Sequence, residues 1–425
     1  MISRQRITVT FALLFVAALF TPAVTVFSGL AVAPIYAVLV VSALFEGMKR
    51  RVVFVPFGPA VMAAILFCSW ALVSCYWAPD RDASLMQWAG SFTVLIMSFL
   101  VYGVFRQLRQ TQVELIAWAL MIGVPLMLLC CAIELVQHGA ILEYFRTHFS
   151  GKPGGYNPEN YNRGACFLAL IFWPLIMAVL RITRGNSERN SAGLVFLLVL
   201  WVLTLFVLLM LKSLSAKVGF AAGTGTLIVA MLLPRHSVRL LQFAFLLTVA
   251  AIPVLAGRLE PLTHVNDPIP PSGLHRLFIW RFAADKAMEK PWLGWGFHGS
   301  RHVPGALDTV QLPNQSVPVG WVQLPNHPHD AILQIWLELG IVGLALYALM
   351  GVLAFAWAEQ EVRHPLQRAA VLAMIVAYFV ASLTAFNVWQ EWWIAGGLLG
   401  FLLLRVLMDG FILGTRFGRS YRSQL

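Results

Sequence analysis

Pro325–Asn326–His327–Pro328–His329–Asp330 runs directly into an apolar stretch that begins at Ala331. Two imidazoles two residues apart, at the start of a helix, are suited to proton transfer. The positive end of a helix favours neutral imidazole, and a neutral imidazole accepts a proton as a general base must. The plain alternative is that both rings only bond loop carbonyls. Asp330 is the expected N-cap of the helix. A metal held by His327 and His329 has weak support, because no carboxylate-rich cluster accompanies them.

Four more charged residues invite attention. Lys212–Ser213–Leu214–Ser215–Ala216–Lys217 joins two apolar runs with no obvious polar loop between them. Lysines so close to apolar runs are costly unless they snorkel to an interface or meet an anion. Arg163, at the end of Asn157–Pro158–Glu159–Asn160–Tyr161–Asn162–Arg163, brings another cation to the same side, or serves as an interface anchor. Glu134 is the expected partner for one of these cations.

The elements that position these groups are apolar helices. The chain has 425 residues, of which 59% are apolar and only 12% charged. An average soluble domain carries about a quarter charged residues. Mean hydropathy is +0.77. A bilayer core takes about 20 apolar residues per helix, and runs of that kind fall near 7–27, 30–47, 57–77, 88–105, 114–135, 164–181, 192–211, 218–234, 239–256, 331–357, 369–388 and 391–408. The expected fold is therefore an all-α polytopic membrane protein of about twelve helices, forming one integral membrane domain over 1–425. The first run is read as a membrane helix and not a signal peptide, because Pro34 and a second apolar run follow the Ala31–Val32–Ala33 triplet.

The net charge of +11 would suggest nucleic acid in a soluble protein. The apolar content argues against that partner and assigns the charge to orientation. With the N-terminus inside, the inner segments hold 18 of the 30 Lys and Arg against six acids. The outer side is close to neutral. Both termini are then cytoplasmic. Inner loops are short. Outer segments 136–163 and 257–330 are long, and eight of the ten histidines fall outside, so the chemistry should face outward.

Within 257–330, a stretch starting at His275 is expected to form an amphipathic helix at the membrane surface. Leu277, Trp280, Ala284, Ala287 and Met288 fall on its apolar side. Arg281 and Asp285 form a supporting i, i+4 pair, and Lys290–Pro291 ends the helix. Gly294–Trp295–Gly296 implies a tight turn and little else. The five cysteines lie in or beside apolar runs without a C-x-x-C pattern and read as small packing residues. The chain lacks G-x-x-x-x-G-K-[ST], H-E-x-x-H and G-x-G-x-x-G, so no nucleotide, metal or other cofactor is expected.

His327–Pro328–His329–Asp330, followed by Leu333–Gln334 and Glu338–Leu339–Gly340, resembles the H-x-H-N…LQ…E-x-G signature of the O-antigen ligase and polymerase superfamily. Upstream, Ser272–Gly273–Leu274–His275–Arg276 with Trp280, then Pro291 and Gly294–Trp295–Gly296, is similar to that family's Arg-x-x-x-Trp…P-x-x-G-x-G element. The specific likeness covers about 272–343. It implies a GT-C-like membrane glycosyltransferase, inverting and metal-independent, with a periplasmic catalytic loop at 257–330. Such an enzyme transfers polysaccharide from undecaprenyl pyrophosphate to a sugar of the lipid A-core, in the bacterial inner membrane.

The resemblance also assigns roles. His329 is the base that activates the acceptor hydroxyl, with His327, Asp330 and Trp280 in support. Arg276 clamps the pyrophosphate, since a guanidinium can hold phosphate oxygens bidentately. The family's second cation lies in a Ser-Arg step, and here the chain reads Ser215–Ala216–Lys217, so Lys217 stands in as a point charge. Arg163 is a third candidate for the pyrophosphate. Where the family has Asn, this chain has Asp330, which caps equally well and can raise the basicity of His329. An O-antigen polymerase or a protein O-glycosyltransferase would share this site. A polysaccharide flippase would share the twelve spans, but should show internal repeats and polar residues in mid-membrane.

Overall fold

The computed structural model describes residues 8–52, 58–150, 156–185, 187–259, 271–310, 321–384 and 386–420, with the side chains of 149, 150, 271 and 409–420 excepted. Fourteen α-helices account for most of the described residues. They are α1 (Val9–Phe27), α2 (Val32–Arg50), α3 (Pro59–Ser74), α4 (Arg81–Phe105), α5 (Gln110–Val136), α6 (Ala140–Phe145), α7 (Asn162–Thr183), α8 (Ser187–Met210), α9 (Leu214–Leu232), α10 (Ser237–Gly257), α11 (Pro271–Glu289), α12 (Ala331–Glu361), α13 (Pro365–Ser382) and α14 (Glu391–Ser420). Twelve of these segments are long and apolar enough to cross a membrane, which excludes only α6 and α11. The one sheet among the described residues is a two-stranded antiparallel ribbon, β1 (Thr309–Val310) with β2 (Trp321–Val322).

Helix α7 is the core. Every residue from Gly164 to Val179 is buried, as an all-round apolar helix requires. It packs against α5, α14, α13, α9, α8 and α1. The outer helices behave differently. Leu194, Val195, Leu198, Phe206 and Leu209 of α8, and Phe243, Leu247, Val254 and Leu255 of α10, are all exposed. So much uncovered apolar surface in a well-packed bundle marks a lipid-facing wall.

Several boundaries differ from the sequence expectation for local reasons. Helix α4 starts at Arg81 and not near 88, because Asp80 caps it by accepting from the Ala83 N–H at 3.0 Å. Helix α13 ends at Ser382, short of 388, since Asn387 turns the chain and accepts from the Trp389 N–H at 2.9 Å. In α11, Arg281 pairs with Asp285 at 2.8 Å as expected, and Glu289 is drawn to Lys286 at 2.7 Å. Met288 does not join the buried side: that face is Ile279, Ala283, Ala284 and Ala287, whereas Met288 is exposed. The Pro268–Ile269–Pro270 stretch lies outside the described residues.

Helix α12 holds the feature that matters most. Its 31 residues are broken at Gly340, whose φ of 67° and ψ of −169° are not helical. The break is filled by the chain that follows α11. The Trp295 N–H donates to the Leu337 carbonyl at 2.9 Å, and the Gly296 N–H to the Glu338 carbonyl at 2.9 Å. In return the Ile341 N–H donates to Pro291 at 2.8 Å, and the Val342 N–H to Trp292 at 3.4 Å. Backbone groups freed by the break are thereby satisfied, as buried ones must be. The approach is close enough that a Cβ on Gly340 would meet the Trp292 carbonyl, and one on Gly294 the Glu338 carbonyl. Gly340→Ala therefore adds a steric clash to left-handed strain of on the order of 1–3 kcal/mol. It should lower the unfolding temperature of the purified chain, whereas Gly225→Ala, where a Cβ meets nothing within 4 Å, should not.

Candidate active site

Asp330 begins α12 with extended backbone, and its carboxylate accepts from the Leu333 N–H at 2.9 Å. It is buried, and that burial pushes its carboxyl up to about 7 against the pull of the backbone donors. His329 precedes it with a φ of 57°. Left-handed backbone is uncommon outside glycine and, though His tolerates it better than most, persists only where the surroundings enforce it. Here the enforcement is visible on both sides. Asp330 is tied into the helix, and the Pro328 carbonyl accepts from the Trp280 indole N–H at 3.0 Å. The turn sets the His329 ring against that of His327, with centroids 4.2 Å apart. His327 is buried and His329 half-buried, so His329 is the more accessible of the two.

Trp280 also connects the histidines to Arg276, which lies one turn earlier on α11 and so on the same side of that helix. Arg276 is half-buried, and burial holds its guanidinium below the ordinary value. It has no hydrogen bond or ion pair with any described residue. A desolvated guanidinium without a protein anion is poised for an anionic ligand. The neighbouring His275 is occupied otherwise. Its Nε2 lies 2.7 Å from the Val322 carbonyl and its ring lies against Trp321. Burial lowers its pKa. It fastens the start of α11 to β2.

Arg163 and Lys217 form a second group. Arg163 opens α7, with its side chain against Gly29 and its guanidinium 5.9 Å from the Trp392 ring centre. Lys217 lies in the first turn of α9, which Ser213 caps. Cys166 Sγ and Ser213 Oγ are 3.6 Å apart, so the two helix starts adjoin. Helix α9 packs along α13, and the turn after α13 reaches α12 through Gln334 and Asn387, 2.8 Å apart. Both groups thus occupy the same end of the bundle, but no described contact joins Arg276 to either cation. Glu134 forms no ion pair with any described residue. It accepts from the Tyr161 hydroxyl at 2.5 Å and from the Ile141 and Leu142 N–H groups at 3.1 and 3.4 Å, which secures the start of α6.

Sequence reasoning quoted Glu338 only as part of a motif and gave it no role. In the fold it is a hub. The carboxylate is 1% exposed and accepts four hydrogen bonds. The donors are Ser300 Oγ at 2.5 Å, Trp389 Nε1 at 2.6 Å, the His298 N–H at 2.8 Å and Gln334 Nε2 at 3.2 Å. These come from the loop after α11, the turn before α14 and α12 itself. The available signal was a carboxylate inside an apolar run, which is tolerable only when fully paired.

A family model described as O-Antigen ligase matches residues 196–348. A Rickettsia typhi protein named "Putative polysaccharide ligase" is 29% identical over 350 residues, covering 82% of this chain and 80% of that protein. A Rickettsia felis protein of the same name is 29% identical over 352 residues, with the same two shares. One from Rickettsia conorii is 28% identical over 349 residues, with shares of 81% and 79%.

Asp330→Asn keeps a capping oxygen but cannot titrate. A free carboxyl ionises near ~3.9 and this one near 7, so the folded chain holds the proton more tightly. The stability it contributes is present below roughly pH 4 and is lost as pH rises through about 7. Thermal unfolding of the Asn variant should show a smaller loss between pH 5 and pH 8 than the parent. An unchanged loss would remove Asp330 as its source.

Proposed function

We propose that the chain is a member of the O-antigen ligase superfamily, whose family model it matches over residues 196–348, and that it is an inverting glycosyltransferase of GT-C-like architecture. It forms one integral membrane domain in the bacterial inner membrane, with both termini cytoplasmic and the 257–330 segment periplasmic. Its donor is a polysaccharide on undecaprenyl pyrophosphate, and its acceptor a sugar hydroxyl of the lipid A-core. The name of the Rickettsia relatives, polysaccharide ligase, favours a ligase over a polymerase or a protein O-oligosaccharyltransferase. The observation that carries the chemistry is the Trp280–Pro328 bond. It links the face of α11 that bears a guanidinium with no ion pair among the described residues to the turn that holds the accessible imidazole.

The reaction follows from these groups. The acceptor hydroxyl gives its proton to neutral His329 as its oxygen attacks the anomeric carbon opposite the pyrophosphate. The bond from that carbon to the pyrophosphate oxygen breaks, and the electron pair leaves with the pyrophosphate. Arg276 neutralises the charge that grows there, and Lys217 and Arg163 contribute as further cations. His327 and Asp330 hold His329 in its turn. No nucleotide is consumed, because the donor is already activated, and the fixed cations do the work a metal ion would do.

His329→Ala should lower transfer from a purified lipid-linked donor by roughly 10²–10⁴-fold, and Arg276→Ala by about 10²–10³-fold, with both variants still inserting and remaining monodisperse. Normal transfer by either variant removes that residue from the mechanism. Transfer by the parent chain should also proceed without ATP and in the presence of chelator. Activity that vanishes in chelator and returns with a divalent ion would overturn the metal-independent reading. Products that lengthen on the lipid carrier, in place of transfer to lipid A-core, would identify a polymerase.

A further inference from the structure

We infer that the end of α11 and the turn after it form a membrane anchor, in which Met288, Trp292 and Leu293 enter the lipid leaflet on the α11 side of the bundle. The height of that leaflet is set by α12. Every residue from Ala331 to Gly340 is buried in protein, so this part of the helix does not face lipid. Exposure begins at Ile341, which is 40% exposed. From Ile341 to Ala358, the last residue before the exposed Glu359–Gln360–Glu361 end of the helix, the rise is about 27 Å, close to a hydrocarbon core of about 30 Å. The bilayer span of α12 therefore starts at the break, ten residues later than its apolar run.

The turn sits at that level because it is bonded to it. The Ile341 N–H takes the Pro291 carbonyl and the Val342 N–H takes the Trp292 carbonyl. Next to this first lipid-facing residue, Met288, Trp292 and Leu293 are 63%, 67% and 50% exposed. Three large apolar side chains at the end of α11 and in the turn that follows, beside the lipid-facing start of a span, form a surface that water does not favour and an acyl region does. The flanking chemistry agrees. Lys290 is exposed, with its ammonium 3.9 Å from the Trp295 ring centre, where it can face lipid phosphates. Trp70, whose indole donates to the Leu339 carbonyl at 3.0 Å, adds an aromatic ring near the same level. The anchor would fix the height of α11, and with it Arg276, relative to the lipid surface.

The test places single cysteines in the full chain through Met288→Cys, Trp292→Cys and Leu293→Cys, with Ser272→Cys, exposed at the far end of α11, as the control. Each is labelled with a polarity-sensitive fluorophore in nanodiscs of phosphatidylethanolamine and phosphatidylglycerol. The parent chain, whose own cysteines are buried or half-buried, supplies the background. Labels at 288, 292 and 293 should be quenched severalfold more by lipids carrying a shallow nitroxide than by aqueous iodide, and the label at 272 the reverse. Iodide-accessible labels untouched by nitroxide lipids would overturn the anchor. So would shielding that grows with protein concentration in detergent, which would assign the patch to a second copy of the chain. The outcome is independent of whether the proposed transfer reaction is correct.

Discussion

The site depends on a helix that stops being a helix at one residue. At Gly340 the backbone of α12 leaves helical geometry, and the freed peptide groups need partners inside a low-dielectric bundle. The segment from Pro291 to Gly296 supplies them in both directions. Because each segment satisfies the other, neither can move alone. The interlock fastens the chain after α11 to the middle of α12. Glu338, one turn of contacts away, adds the loop at 298–300 and the turn before α14 to the same joint. Its four donors offset the cost of burying a carboxylate, and losing one would leave charge uncompensated.

On this joint rests a strained turn. His329 holds a left-handed φ between two restraints, the Asp330 cap and the Trp280 bond to Pro328. Strain of this kind needs a rigid frame, and α11 and α12 provide it. The same frame sets His329, in the turn before α12, against the face of α11 that carries Arg276. Trp280 connects them, so their relative position is a property of the α11–α12 contact and not of either helix.

Charge is divided in the same economical way. The excess of Lys and Arg in the short loops is the pattern that the positive-inside rule reads as orientation. The cations near the proposed chemistry are few and individually placed. Arg276 is half-buried with no ion pair to any described residue, Arg163 lies over Trp392, and Lys217 sits in the first turn of α9. A net figure for that side would hide all three.

The twelve spans were legible because a bilayer demands a long apolar run per crossing, and such runs are local. The Asp330 cap and the Arg281–Asp285 pair were legible for the same reason, since their partners lie three and four residues away. The positions of His327, His329 and Arg276 stood out through motif resemblance. What sequence could not supply were the partners far along the chain. Glu134 was expected to meet a cation and instead secures α6, a choice made by how α5, α6 and Tyr161 pack. Gly294 and Gly296 read as a tight turn, but their need for no side chain comes from backbone more than 40 residues later and from Ala78. The apolar run of α12 gave no sign of its break, because hydropathy cannot tell a residue buried in lipid from one buried in protein. Local chemistry determined what each segment is. Only the tertiary structure decided which segments complete one another, because a buried hydrogen-bonding group takes its partner from whatever packing brings near.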